Sequence, residues 1–413
     1  MIPGWVLAGI AADLETYIIG KQKMNSLIIR GALLIDGTGR PPIQNGTMRI
    51  EGDRIAAVGP EKEIGMPPGL PVIDCGDQVL IPGLIDCHNH LSMDPTQENW
   101  PARLNDSDAE QALRAVNNLA VDLKAGITTA RSLGDRNFLD LACKKAIESG
   151  KLLGPRLLVA TRGIRATHGH GMVGYPFDGP DAVRRAVREN IKAGADIIKL
   201  FITGTVRTGP ELSCYLSEQE IAVAIEEAHR AGLRTAAHCI GGPGVETCLA
   251  AGLDCFEHGY FLTDREIELL LKADRWLDLT PSPFFTEERI ETLPKEIAEA
   301  FRKDRDEVAR RMQVVIRSGV KFVAGTDGMH GGLAQELEYL VRYGASESLA
   351  LAAVTRNASA VLGLEGTVGT LETGKFADIV GVQGNPLKDI RALKKVRTVI
   401  SRGKPVSLPA SPS

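Results

Sequence analysis

The sequence predicts an α/β fold, a (β/α)8 TIM barrel carrying a small composite β-sandwich built from both termini. Three observations predict it. Apolar or β-branched runs recur between residues 79 and 325, helical segments separate them, and short strands punctuated by turns occupy the two ends of the chain.

The first 23 residues stand apart. Residues 5–19 are fairly apolar but include Asp13 and Glu15 and follow no positive run, so they read poorly as a signal peptide and are too short and charged to span a bilayer. Segment 1–23 is expected to be a helical extension or a start-site artefact, with the natural domain opening at Met24. Strand-like stretches follow at 27–30, 32–37, 46–50 and 54–59, and return at 378–382 and 396–401, bounded by Gly, Pro and Asn turns. Neither end has enough strands for a stable sheet alone. The two are therefore expected to pair, 24–80 with 367–413, around an inserted barrel at 81–366.

Within the insert, the strand-like runs fall at 79–86, 126–131, 156–160, 195–202, 234–238, 254–258, 276–280 and 321–325. Helical periodicity covers 108–125, 181–193, 217–231 and 303–318. Ser217 and Glu220 form a capping box, and Gly232 sits where a helix ends in a left-handed residue. In such a barrel, chemistry is staged at the C-terminal ends of the strands. A doubly wound open sheet is the rival, but no GxGxxG or P-loop follows the first run.

Composition narrows the function. With 413 residues, 44% of them hydrophobic, the chain can bury one large barrel-type core beside a smaller one. A net charge of -4 without a basic stripe argues against a nucleic-acid partner, and no segment reads as a membrane span. Seven cysteines without a CxxC pair suit a reduced, cytoplasmic setting.

The residues with ligand chemistry close the apolar runs. His88 and His90 end the first; in a strand they point the same way and are placed to share a metal ion, where the bland alternative is a packed or solvated pair. Lys199 lies in the fourth run, His238 ends the fifth, His258 the sixth, and Asp327 follows the eighth. All would face one barrel mouth. Such a set suits zinc or a similar divalent ion, and it is too large for one tetrahedral centre with an open position, so two metal ions are implied. An ammonium inside an apolar strand is costly and tends to lose its proton. Lys199 either pairs with a barrel carboxylate such as Asp327 or is carbamylated by carbon dioxide into an anionic bridge. Four neutral histidines and one aspartate under-compensate two dications, which favours the bridge.

Weaker candidates lie in loops. His168 and His170 belong to the glycine-rich stretch 163–179, and His330 to a second such stretch, where a solvated loop histidine is the alternative. His229, in the last turn of a helix, reads as structural. Cys87, Cys239 and Cys255 neighbour ligand positions but read as core.

The set His88-Asn89-His90, Lys199, His238, His258 and Thr326-Asp327 resembles the metal-binding pattern of the amidohydrolase superfamily, of the two-metal urease and dihydroorotase type. The opening stretch Val79-Leu80-Ile81-Pro82-Gly83-Leu84-Ile85-Asp86 and the closing Gly374-Lys375-Phe376-Ala377-Asp378-Ile379-Val380 extend the resemblance from about Ser26 to Pro405. Thr167-His168-Gly169-His170-Gly171, Tyr215 and His330 are similar to its imidazolonepropionase-like and Xaa-Pro dipeptidase-like branch.

The resemblance implies a metal-dependent barrel beside a composite β-sandwich, often oligomeric, that hydrolyses amide bonds. It implies that His88, His90 and Asp327 hold a buried metal, that His238 and His258 hold a more exposed one, and that carbamylated (N6-carboxylated) Lys199 bridges them. A hydroxide shared by the cations would attack, with Asp327 moving its remaining proton to the departing amine. His170 and Tyr215, with His168 and His330, would meet the oxyanion or the substrate. Met172-Val173 stand where peptidase-like members often carry an acid, and the fourth strand continues Thr203-Gly204-Thr205-Val206 rather than through two glycines; an apolar lining favours a less charged substrate.

The expected substrate is a small amide, such as a dipeptide, N-acyl amino acid or arylamide, handled by a homo-oligomer. A cyclic-amide hydrolase of the imidazolone or hydantoin kind and a carbamate hydrolase are the near alternatives. A one-metal deaminase or a non-catalytic scaffold would leave Lys199 or the full ligand set without purpose.

Overall fold

Pro82 and Gly83 split the first apolar run in two. Val79–Pro82 pairs antiparallel with Ile379–Val382 near the C-terminus, whereas Leu84–Asn89 becomes the first parallel strand, β1. One strand expected over 79–86 is thus two, for a steric reason. A Cβ at Gly83 would lie 2.1 Å from Thr128 Oγ1, so glycine lets the chain turn against its neighbour.

The computed structural model describes residues 26–65, 67–207 and 212–407, and the extension expected at 1–23 lies outside them. After β1 come β2 (Ile127–Ser132), β3 (Arg156–Val159), β4 (Ile197–Phe201), β5 (Arg234–Cys239), β6 (Cys255–His258), β7 (Trp276–Leu279) and β8 (Lys321–Ala324). Their ladders run β3-β2-β1 and β4-β5-β6-β7-β8, all parallel, alternating with helices in the TIM-barrel order. The Asp196 amide, just before β4, donates to Val159 O of β3 at 2.9 Å. Beyond β8, the Thr326 and Asp327 amides both donate to His88 O of β1, at 3.0 and 2.8 Å.

Helices hold the strands by ordinary local rules. Ser217 Oγ accepts the Glu220 amide at 3.3 Å while Glu220 Oε2 accepts the Ser217 amide at 2.7 Å, a capping box that contributes about 1 kcal/mol to helix Glu218–Arg230. Ile221, Ala224, Ile225 and Ala228 form its buried stripe. Ser107 with Glu110 and Thr263 with Glu266 repeat the device. The helix expected at 303–318 is the latter part of Lys295–Ser318, which begins directly after Pro294.

Both termini contribute to one sheet. Its six strands run Lys404–Pro405, Val396–Ser401, Ile379–Val382, Val79–Pro82, Leu33–Leu34 and Ile43–Gln44. A four-stranded sheet lies beside it in sequence: Arg54–Pro60, Gly46–Glu51, Ser26–Arg30 and Val72–Asp74. Leu27, Met48 and Ile55 share a buried cluster with Leu371, Ile379 and Ile400, so neither end buries its apolar face without the other. Among the described residues, no helix is long and apolar enough to cross a membrane.

Candidate metal centre and substrate cavity

Asp86 builds the floor of the site. Its carboxylate accepts from the His88 amide (3.0 Å), the Thr326 amide (3.1 Å), Thr326 Oγ1 (2.7 Å) and Asn89 Nδ2 (3.0 Å), which ties the end of β1 to the chain leaving β8. Gly325 lets the two strand ends approach, because a Cβ there would fall 2.3 Å from both the His88 nitrogen and Cβ. Asp135 fixes the turn after His90, accepting from the Leu91 and Ser92 amides at 2.9 Å each.

Four imidazoles form a continuous arc above this floor. Ring centroids lie 5.2 Å apart for His90 and His88, 4.8 Å for His88 and His258, and 4.5 Å for His258 and His238; His170 extends the arc, 4.4 Å from His238. His88 Nδ1 donates to Glu257 Oε2 and His90 Nδ1 to Gly134 O, both at 2.8 Å. Each Nε2 is left with a lone pair, and the two face each other at 3.3 Å. Asp327 Oδ1 completes the convergence, 3.5 and 3.7 Å from those nitrogens. Facing lone pairs and a carboxylate repel unless a cation sits among them, so this donor set fits a divalent metal. His258 Nδ1 meets Thr280 Oγ1 at 2.6 Å, and His238 Nε2 donates to Gly204 O at 3.0 Å.

Electrostatics keep the imidazoles in the ligand form. Burial, reinforced by the Lys199 charge, pushes His90 down to about 3; burial and neighbouring charges hold His88, His238 and His258 well below the usual range. Lys199 is fully buried in β4, its Nζ 5.1 Å from the Phe201 ring centroid and without a hydrogen-bond partner among the described residues. Burial lowers it to about 8, against the opposing pull of Glu257 and Asp327. Burial also raises Asp327 to about 6, with Arg289 and Lys199 pulling it back. His258 and Asp327 both have left-handed backbones, φ 77° and 50°, a local strain that the surrounding contacts must hold in place.

A second cluster lies beneath. Arg131 Nη2 stands 3.0 Å from both Glu257 Oε1 and Asp278 Oδ2, all three side chains buried. Glu257 and Asp278 also approach His88 closely enough to suggest a metal group, but the guanidinium already supplies their positive charge. Glu257 braces His88 from below, and Arg131 ties Glu257 to Asp278. Cys255 Sγ, 3.6 Å from Arg131 Nη2, belongs to this floor, and Cys87 and Cys239 are likewise buried.

Above the arc opens a cavity of about 390 Å³ lined by His88, His90, His168, His170, Tyr215, His238, His258 and Asp327. Thr205 Oγ1 bonds the His170 ring at 2.8 Å, and the His168 ring packs edge-on to Tyr215 with centroids 5.4 Å apart. His330 departs from the expectation. Its Nδ1 meets Asp122 Oδ2 at 2.9 Å and its Nε2 meets His90 O at 3.3 Å, so the ring lies behind the arc and not along the cavity. Burial opposes its charge, yet the Asp122 carboxylate and its hydrogen bond leave the pKa raised.

Sequence reasoning missed Glu257, Arg131, Tyr260 and Arg289. Arg131 is a cation in an apolar or β-branched run, the kind of signal that singled out Lys199. Glu257 is masked by His258 beside it, and Tyr260, stacked on His258 at 5.2 Å, follows the strand in an unread turn.

The Amidohydrolase family model matches residues 79–406. The chain is 30% identical to an ochratoxinase of Aspergillus niger, over 90% of this chain and 84% of that protein. It is 26% identical to an imidazolonepropionase of Fusobacterium nucleatum, over 81% of this chain and 84% of that protein. A solved Xaa-Pro dipeptidase with methionine bound in its active site superposes with a TM-score of 0.83 at 27% identity, covering 92% of this chain and 99% of that one.

Proposed function

This chain belongs to the amidohydrolase family, and we propose that it hydrolyses the amide bond of a small substrate such as an N-acyl amino acid, dipeptide or arylamide. It is a metal-dependent enzyme acting on C–N bonds. The observation that carries the finer reading is the convergence of His88, His90, His238, His258 and Asp327 on one cavity over a buried Lys199 that lacks a partner among the described residues.

In this reading His88, His90 and Asp327 would hold one divalent ion, His238 and His258 a second, and Lys199, carbamylated, would lie between them. The imidazole-rich set suits zinc. Bound there, the ions would acidify a water and draw charge from the scissile carbonyl. Asp327 accepts the proton of the attacking water and hands it to the departing amine nitrogen, so that the amine leaves neutral. His170, half-buried against Thr205 and Phe201, and Tyr215, which also lines the cavity, donate to the developing oxyanion or to the substrate. His168 orients Tyr215 through their edge contact. Glu257 and Arg131 keep His88 in the tautomer whose Nε2 faces the site.

The same reading takes the two parallel ladders as one closed barrel at 81–366 and the terminal sheets, 24–80 and 367–413, as its composite β-sandwich. It takes the protein as a cytoplasmic homo-oligomer. A screen of N-acyl amino acids, dipeptides, arylamides, cyclic amides and carbamates, read by mass spectrometry of products, tests it. Release of an amine and an acid from an open-chain amide supports the proposal; turnover confined to cyclic amides or carbamates, or none at all, contradicts it.

A further inference from the structure

Arg289 is a buried cation facing the cavity with too few acceptors. It stands in the short helix Glu287–Glu291 after β7, 3% exposed, and lines the cavity beside Asp327. Its guanidinium carbon lies 5.6 Å from the ring centroids of both Trp100 and Phe301. Nη1 donates to Pro283 O at 3.4 Å, and Nε has no partner among the described residues. Asp327 is the one acid among the described residues lining the cavity, and its Oδ2 lies 3.6 Å from Nη2, beyond hydrogen-bond length. Asp327 Oδ1 is turned toward His88 and His90. In the proposed function that carboxylate is shared with a cation, which leaves Arg289 a partial counter-charge and no hydrogen-bonded carboxylate.

A planar fork of five donors, desolvated and underused, is shaped for a carboxylate. We propose that Arg289 anchors a carboxylate of the substrate, and that the enzyme's substrates are N-acyl amino acids with the acid group beside the scissile amide. The 3.6 Å spacing to Asp327 sets that position, since a carboxylate held by the guanidinium lies within a few bonds of a group protonated at Asp327. Met93, Trp100, Leu104, Val173 and Phe301 line an apolar part of the space, which suits an apolar substrate body. The apolar lining at Met172-Val173 meets the substrate body, while its one charge is met by Arg289. This inference deepens the proposed amide hydrolysis and rests on it for the word substrate, but the anchor can be read without catalysis.

The test compares a carboxylate probe, 3-phenylpropionate, with its neutral isostere 3-phenylpropanamide by titration calorimetry on the purified metal-loaded protein and on Arg289→Met, Arg289→Gln and Arg289→Lys. Wild type is expected to prefer the acid by about 10- to 100-fold. Arg289→Met and Arg289→Gln should lose that preference and bind the amide unchanged, and Arg289→Lys should keep part of it. Equal binding of acid and amide by wild type, binding of neither, or an undiminished preference in both neutral variants overturns the anchor. A kinetic arm uses N-acetylphenylalanine and its decarboxylated analogue N-acetylphenethylamine. The anchor predicts a KM increase for the acid alone, whereas a role confined to supporting Asp327 lowers kcat for both and overturns it. If neither compound is hydrolysed, the proposed function fails on that ground while the calorimetric preference still decides Arg289.

Discussion

Asp327 meets His88 at two points: its backbone amide donates to the His88 carbonyl at 2.8 Å, and its carboxylate stands 3.5 Å from the His88 Nε2. The end of β8 is thereby fixed to the end of β1, and a proton carrier is held beside the nitrogen that would ligate a metal. Asp327→Asn keeps the backbone link and the side-chain shape while removing the basic oxygen. It should fold as wild type by thermal unfolding and lose about 10²- to 10⁴-fold in kcat. Unchanged turnover would dismiss Asp327 as proton carrier.

Lys199 offers a chemical test. Lys199→Ala removes the amine that would carry the bridging carboxylate, so activity should fall below a few per cent and recover in part when formate, acetate or propionate is added. The same carboxylic acids should leave wild type unaffected. Full activity without rescue would rule out the bridge.

Gly325 supplies a structural test. A methyl group at Gly325 would meet the His88 nitrogen and Cβ at 2.3 Å, and backbone cannot yield as a flexible side chain can. Gly325→Ala should cost about 1–3 kcal/mol or more in chemical denaturation and weaken metal retention on dialysis. Gly52, whose added Cβ would meet nothing within 4 Å, is the control for a glycine remote from the site, although its φ of 63° carries a local penalty of its own.

Glu257 tests the support beneath the histidines. Glu257→Gln replaces the carboxylate that holds His88 Nδ1 at 2.8 Å and unbalances the buried Arg131. Metal affinity, measured by competition with a chromophoric chelator, should fall about 10- to 100-fold. Stability should fall as well, by about 3–5 kcal/mol where a buried charge pair is broken. Unaltered affinity would show that Glu257 does not brace His88.

Much of the framework was legible because its signals are local. Val396–Ser401 coincides with its β-branched-rich run, and the Ser217–Glu220 box fixes the start of its helix. His88 and His90 could be paired because a strand repeats every two residues. What was not legible depends on contacts between distant segments. The break at Gly83 comes from Thr128, 45 positions away in the chain, and His330 reads as a substrate contact or a solvated loop residue because nothing near it in sequence announces Asp122, its partner across 208 residues. Arg289 sits among Glu287, Glu288 and Glu291, a run that reads as a solvated helix face, and tertiary packing alone turns it inward.

The central claim is that side chains from β1, β4, β5, β6 and the end of β8 hold a pair of divalent cations. Elemental analysis of the purified protein, normalised to chain concentration, tests it most directly. The account predicts close to two metal ions per chain in wild type, falling when Lys199 is replaced by Ala; a wild-type content of one or none would contradict it.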